Sequence, residues 1–362
     1  MKALVLSGGM GTRLRPFTHS MPKQLFPVAN QPVLAHVLGK IRTLGVTEVG
    51  IVVGGGGGGA AQVEEAIGDG SRFGLQVTYV HQHQPRGLAH AVQVAADFLG
   101  TDDFLVYLGD NVLTEGLIEF VARFRDERPA AHLLVQKVSD PRSYGVVELD
   151  AGRVQRLVEK PASPRSDLAI VGVYLFTDEI HTAIREIRPG RRGELELTDA
   201  VQWLVDSGAR VEATEYGGNW SDVGQVDDLL ECNRHLLTKL EADVAGEVDE
   251  VSVVESGVRV EAGARVVRSV LRGPAVIGAE TLVEDSIIAP NTSVGAGCVV
   301  RRTCLADSIV LDGAQVTGVP QLRGSIVGRS ATVTGVAEGV HRLLVGDHSQ
   351  VEIPRSRTDG WV

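Results

Sequence analysis

The chain has 362 residues, room for two or three domains, and its 43% hydrophobic and 22% charged content suits a globular protein with a sizeable core. A net charge of −11 speaks against a nucleic-acid surface, so an anionic ligand must meet a local cluster of positive groups. No apolar run approaches the roughly 18 residues that span a bilayer, and the N-terminus opens into a strand-like KALVLS rather than a signal peptide, so a cytoplasmic protein with no membrane partner is expected.

Lys2, Ala3, Leu4, Val5 and Leu6 read as a buried strand, and Val33, Leu34, Val37, Leu38, Ile41 and Leu44 then recur at helical spacing. The strand-like GIVV follows, then a helix at residues 62–67, a strand at 76–80, a helix at 88–99 and the apolar run 104–108, which ends in Gly109, Asp110 and Asn111. Such alternation predicts a mostly parallel sheet with helices on both faces, whose ligands gather beyond the carboxyl ends of the strands. From about residue 245 the texture changes to hexads (IGAETL, VEDSII, VGAGCV, VGRSAT), with an aliphatic residue near every sixth position. That period predicts a parallel β-helix. RRTCLADS and GVPQLRGS read as loops or imperfect coils, and the segment after Asp347 as weakly ordered. The expected domains are therefore 1–240, 245–347 and a tail, 348–362. Cys232, Cys298 and Cys304 form no CxxC pair, which speaks against a disulfide framework or a zinc site.

Two glycine clusters compete as a phosphate loop. Six glycines at residues 54–59 have neither Lys, Arg, Ser nor Thr beside them, and Glu64 and Glu65 follow. They read as a surface connection that leaves the next helix without a side-chain cap. The quieter GGMGTRLRPFTHSMPKQLFPV, residues 8–28, combines backbone N–H groups after a strand with two cations, Arg13 and Lys23. Arg offers a fork and Lys a point charge, and Pro16, Pro22 and Pro27 restrict the backbone between them. A P-loop pattern is absent. His19, His81, His83 and His90 lack ligand spacing and read as surface or packing residues. Glu194 and Glu196, placed on a helix, would point in different directions.

GGxGTRLxPxTxxxPKxLxPV, every fixed position of which is filled here, resembles the signature of the sugar-1-phosphate nucleotidyltransferases, or sugar-nucleotide pyrophosphorylases. QPRGLAHAV, YLGDN, YGVVE, VEKP, RGELELTD and WSDVG follow in the family's order, and LLVGDHSQVEI is similar to the long-form glucose-1-phosphate thymidylyltransferases. The resemblance implies a Rossmann-like, mostly parallel mixed sheet flanked by helices, followed by a C-terminal left-handed parallel β-helix of hexapeptide repeats. It implies Mg²⁺ bound by Asp110 and Asp222, with Arg13, Lys23 and Asp110 as catalytic residues. Leu6, Gly8, Gly9, Gly11, Thr12, Arg13, Gln82 and Gly87 match nucleotide-binding positions. Asn111, Gly145, Glu159, Lys160, Val171 and Tyr174 match sugar-phosphate positions, and Arg192 and Glu194 would order that pocket.

The implied reaction joins dTTP and glucose 1-phosphate into dTDP-glucose and pyrophosphate. One methyl group is worth only about 1–3 kcal/mol of discrimination, so UTP is the nearest alternative substrate. WSDVG departs from the WLDTG-like element of relatives and lacks a Thr hydroxyl beside Asp222. An acyltransferase β-helix is a second possibility, but no His lies within the regular hexads, His341 standing at their exit and His348 beyond. A structural or assembly role for the β-helix, in a homo-oligomer, is expected instead. A non-catalytic sensor is argued against by the intact Lys23, Asp110 and Asp222.

Overall fold

The aliphatic run at the N-terminus becomes β1 (Lys2–Ser7), a central strand whose Ala3, Leu4 and Val5 are wholly buried. In the computed structural model, which describes residues 1–9, 11–54, 58–150, 153–336 and 338–354, the chain divides into two compact units. One comprises Met1–Met10 and Val33–Asp222; the other comprises Gly11–Pro32 and Val223–Val362. Residues 55–57 of the glycine run and 355–362 of the expected tail lie outside the described residues. Among the described residues no helix is long and apolar enough to cross a membrane.

The first unit is built on a nine-stranded sheet. After β1 come β2 (Glu48–Gly54), β3 (Gln76–Gln82) and β4 (Phe104–Leu108), then a short β5 (Asn111–Leu113) outside the main sheet. β6 (Ala131–Lys137), β7 (Gly145–Asp150), β8 (Arg153–Glu159), β9 (Leu168–Phe176) and β10 (Val211–Glu215) complete the sheet, and β11 (Trp220–Asp222) pairs with β5. The strand order is β3-β2-β1-β4-β9-β6-β10-β8-β7. Its first four strands are parallel, as the strand–helix alternation predicts. Beyond β4 the sheet is mixed, because β9 runs antiparallel to both β4 and β6, and β7 and β8 form a hairpin. The predicted helices appear as α1 (Val33–Thr43), α2 (Gly59–Ile67) and, split at Ala95, α3 (Leu88–Val94) and α4 (Ala96–Leu99). α5 (Ile118–Glu127), α6 (Glu179–Glu186) and α7 (Leu197–Asp206) follow. Gly58 caps α2 without a side-chain hydrogen bond.

The parallel strands share one carboxyl edge. Register places Gly54 beside Gln82, Ser7 beside Val53 and Leu6 beside Leu108, so Gly8, Gln82 and Asp110 all emerge there. Along β9 the register slips between Ile170 and Tyr174, a bulge next to Val171.

In the second unit three parallel sheets, of seven, seven and six short strands, stack from Asp243–Val244 to Gln350–Ile353, as expected of a left-handed parallel β-helix. Val258 pairs with Ala275 and Ala275 with Thr292, a coil of seventeen residues rather than three full hexads. Corner residues recur in the left-handed region at the same step: Arg268, Asp285 and Arg302 form one such column. A second ladder runs inside, where Ser269, Ser286 and Thr303 each donate their backbone N–H to the hydroxyl seventeen residues earlier. RRTCLADS and GVPQLRGS, expected as loops or imperfect coils, carry coil strands, Cys304–Ala306 pairing with Gln321–Arg323, in coils of uneven step: Val299 pairs with Gln315 sixteen residues on and Gln321 with Val340 nineteen residues on. Gln350–Ile353 likewise adds a strand beside Thr332–Gly335 where weak order was expected.

Residues 11–32 belong with this unit. Helix α8 (Val226–Leu237) carries Asn233, which is fully buried. Its Oδ1 accepts from Ala29 N at 2.8 Å and also from the Ser293 hydroxyl, while its Nδ2 donates to Asn291 O at 3.1 Å. Asn30 Nδ2 donates to Val294 O at 2.7 Å, and Arg234 grips Asp307 with two nitrogens. Ala29, Leu237 and Val276 close a small apolar cluster over these bonds.

Replacing Asn233 with Ala strands a buried N–H, a hydroxyl and a carbonyl. A loss of about 2–5 kcal/mol is expected in chemical denaturation; a loss below about 1 kcal/mol would show the bonds to be dispensable. A second prediction concerns pH. His132, buried on β6 with Nε2 2.8 Å from Thr214 Oγ1, is held down to about 4 by burial, with Glu212 opposing and Arg123 adding. The unfolded chain takes up this proton near 6.5, so stability should fall as pH drops from about 6.5 to about 4, by roughly 1.4 kcal/mol per unit. His132→Gln should lose less stability than wild type between those limits, whereas equal losses would rule this residue out as the cause.

Candidate active site

Asp110 follows β4, and the next residue, Asn111, pairs across the β5–β11 ladder with Asp222. Asn111 acts as a bracket here. Its Nδ2 donates to Asp110 Oδ1 at 2.8 Å, and its Oδ1 accepts from Trp220 Nε1 at 2.6 Å. Trp220 packs on Tyr144 with ring centroids 5.0 Å apart. Asp222 thus stands opposite the residue that follows Asp110, and hard oxygen donors of this kind suit a divalent cation that keeps waters and takes phosphate oxygens as further ligands. Among the described residues no cluster of three or more His, Cys, Asp or Glu forms a self-sufficient metal cage.

The segment after β3 is shaped by backbone pairing. Leu195 N donates to Arg86 O at 2.7 Å, and Ala89 N donates to Leu195 O at 3.0 Å. Gly87 lies between them with φ +104, and a Cβ there would sit 2.4 Å from Leu195 O, so only glycine fits. Gln82, 7% exposed, donates from Nε2 to His90 Nδ1 at 2.9 Å and to Gly87 O at 3.3 Å. Leu6 is buried at the end of β1 and can offer a ligand only backbone; Gly8 and Gly9 follow it at the open edge.

A third group gathers around Arg192. Its Nη2 lies 2.7 Å from Glu196 Oε1, 3.1 Å from Glu194 Oε2 and 3.4 Å from Glu159 Oε1. Glu194 and Glu196 therefore face the same cation. They precede α7 in extended chain paired with residues 86–89, and the helical placement does not hold. Burial raises the Glu196 carboxyl, with the Arg192 bond opposing and Glu159 adding; burial and then Glu159 raise Asp199. Lys160, in the left-handed region at φ 43, points Nζ to Glu159 Oε1 at 3.3 Å, and its N–H donates to Tyr144 O. Gly145 pairs with Glu159, whose Oε2 accepts from Thr198 Oγ1 at 3.2 Å. Tyr174 is buried, its hydroxyl pushed far up by burial and then by Glu159 and Glu196. Val171 is fully buried beside the β9 bulge and offers backbone alone. Carboxylates that accept hydroxyl protons, beside a lysine, can hold a polyhydroxylated anion. Thr198 and Asp199 belong to these clusters without having stood out in the sequence; Glu196, weighed there only as a helical residue, and His90, read there as a surface or packing residue, join them. Asp199 could have been found from the carboxylate spacing in RGELELTD.

Gly11, Thr12, Arg13 and Lys23 lie in the second unit. Gly11, at φ +59, lets the chain pass so close that a Cβ would meet Thr18 Cγ2 at 2.9 Å and Lys23 Cβ at 3.0 Å. Thr18 Oγ1 donates to Gly11 O at 2.8 Å, which closes the turn. Phe17 and Phe26, both fully buried, pack edge to face at 5.6 Å beneath it. Thr12 and Arg13 stand exposed on a single 3-10 turn, Thr12–Leu14, and Arg13 lies against Gly224, where a Cβ would be 3.4 Å from Nη2. Asp228 caps α8 by accepting from Gly224 N and Gln225 N; burial raises its carboxyl, with those bonds and Arg13 opposing.

Comparison with known proteins matches residues 2–239 to the family described as Nucleotidyl transferase, and residues 238–322 to the GlmU-like C-terminal hexapeptide family. The chain is 52% identical over 356 residues to a glucose-1-phosphate thymidylyltransferase of Streptomyces griseus, covering 98% of this chain and 99% of that one. It is 51% identical over 357 residues to the enzyme of the same name from Streptomyces antibioticus, with the same coverage. A Bacillus anthracis crystal structure, provisionally called a glucose-1-phosphate thymidylyltransferase and solved with sucrose, superposes with a TM-score of 0.60 at 33% identity, over 64% of this chain and 94% of that one.

Proposed function

This chain belongs to the nucleotidyl transferase family, and from that premise we propose that it joins dTTP and glucose 1-phosphate into dTDP-glucose and pyrophosphate. The observation that carries this reading is full-length likeness to enzymes named for that reaction. A phosphate oxygen of the sugar phosphate forms a bond to the α-phosphorus of dTTP. The bond from that phosphorus to the oxygen bridging to the β-phosphorus breaks, and pyrophosphate leaves with the electron pair. The attacking group is already anionic at neutral pH, so the protein's contribution is positioning and charge stabilisation.

In this reading the backbone at Leu6, Gly8, Gly9, Gly11 and Thr12 receives the nucleotide, and Gln82 and Gly87 receive the base. Arg13 and Lys23 stabilise charge on the α-phosphate and the leaving pyrophosphate. Lys160 clamps the sugar phosphate, while Asn111, Gly145, Glu159, Tyr174 and the Val171 backbone meet the sugar. Arg192 keeps the carboxylates around it from repelling one another, which supports the sugar pocket. Asp110 and Asp222 would hold a divalent cation, Mg²⁺ here, which when bound neutralises phosphate charge. A cytoplasmic location and a homo-oligomer complete the reading.

A pyrophosphate-release assay that crosses four triphosphates with several sugar 1-phosphates tests the substrates. The highest kcat/KM is expected for dTTP with glucose 1-phosphate and the next for UTP; a clear preference for UTP would replace the thymidylyl reading with a uridylyl one. Asp110→Asn is expected to lower kcat by about a hundredfold or more with an unchanged melting temperature. Near-native turnover in Mg²⁺ would remove Asp110 from the metal site.

A further inference from the structure

An amide can present either its oxygen or its nitrogen to a base, and the surroundings of Gln82 decide which. Its Nε2 has two hydrogens and meets two acceptors, Gly87 O at 3.3 Å and His90 Nδ1 at 2.9 Å. Its Oε1 is turned to the open edge beyond β1: a Cβ on Gly8 would lie 3.5 Å from it. No donor among the described residues is bonded to this oxygen, although Gln82 is 7% exposed. Gly87 O alone does not fix the amide so firmly, since its 3.3 Å contact is the longer of the two. The shorter contact needs His90 Nδ1 as an acceptor, which requires the neutral ring with its proton on Nε2. Burial, and then Arg86, lower the tendency of His90 to take a second proton.

We propose that His90 is a positioning residue for base selection: it locks the Gln82 carboxamide with Oε1 toward the nucleotide, so that the site accepts from the ring N3–H of thymine or uracil and rejects cytosine, whose N3 carries a lone pair. This rests on the reading of Gln82 as the base contact. Without the imidazole acceptor the amide can turn over and present Nε2, a donor that suits cytosine. An unpaired acceptor facing another acceptor loses the bond and leaves both desolvated. Ala89 anchors α3 independently of His90, because Ala89 N is bonded to Leu195 O.

The test compares dTTP and dCTP, each with glucose 1-phosphate, in wild type, His90→Leu, His90→Gln and Gln82→Leu, all as full-length chains. The dTTP-to-dCTP ratio of kcat/KM is expected to fall about tenfold or more in His90→Leu. Most of the change should lie in the dTTP KM. His90→Gln, which restores an acceptor, should keep the ratio within about threefold of wild type. If Leu disturbs folding, His90→Ala reads the same ratio. A ratio that falls in Gln82→Leu but stays at the wild-type value in His90→Leu or His90→Ala overturns the proposal. A ratio unaltered in Gln82→Leu removes base reading from Gln82 and the proposal with it.

Discussion

The carboxamide of Asn233, shut off from solvent, holds Ala29 N, the Ser293 hydroxyl and Asn291 O together, and so joins the turn at residues 29–30, helix α8 and one coil of the β-helix. The segment of the second unit that carries Arg13 and Lys23, both proposed to act in the reaction, ends at this junction. Arg13 and Lys23 sit on short 3-10 turns, which have little stability of their own. Their position must be imposed from outside. Phe17 and Phe26 supply the apolar floor, and the Asn233 bonds fix the end of the segment against a stack of coils that cannot shift without breaking its ladders. The β-helix thereby acquires a part in positioning Arg13 and Lys23, the cations proposed to meet phosphate.

In the first unit a comparable constraint acts through backbone. Leu195 is bonded to Arg86 and Ala89, and Gly87 is squeezed between them. That one contact couples the segment proposed to read the base to the segment whose Arg192 gathers Glu159, Glu194 and Glu196. Three carboxylates so close together would repel one another in a partly buried site. The guanidinium offsets this, while burial, and to a lesser extent Glu159, still raise the Glu196 carboxyl.

Much of this was legible in the sequence. The four parallel strands and the coils follow from apolar runs whose period changes from helix-compatible to six. Strand direction beyond β4 was not, because an extended apolar run reads alike in either direction, and direction shows only in the pairing, as where β7 and β8 run antiparallel. RRTCLADS breaks the repeat because the coil step there shortens to sixteen residues, Ser293 pairing with Ile309 and Val299 with Gln315. Among the site residues, those in contiguous motifs could be picked out by pattern. His90 lies inside one of these motifs, QPRGLAHAV, but its partner could not be read off, since eight residues separate it from Gln82 and only the fold of the intervening loop brings Nδ1 to the amide. Asn233 is one polar residue on an amphipathic helix, and nothing local distinguishes it from a solvated one.

The central claim is nucleotidyl transfer from dTTP to the phosphate of glucose 1-phosphate. It is tested most directly by following two labels at once, one in the α-phosphate of dTTP and a heavy oxygen bridging glucose C1 to its phosphorus. Attack by the sugar phosphate predicts dTDP-glucose that carries both labels, with unlabelled pyrophosphate formed in equal amount. A product that has lost the heavy oxygen, or triphosphate consumed without any sugar nucleotide, would contradict it.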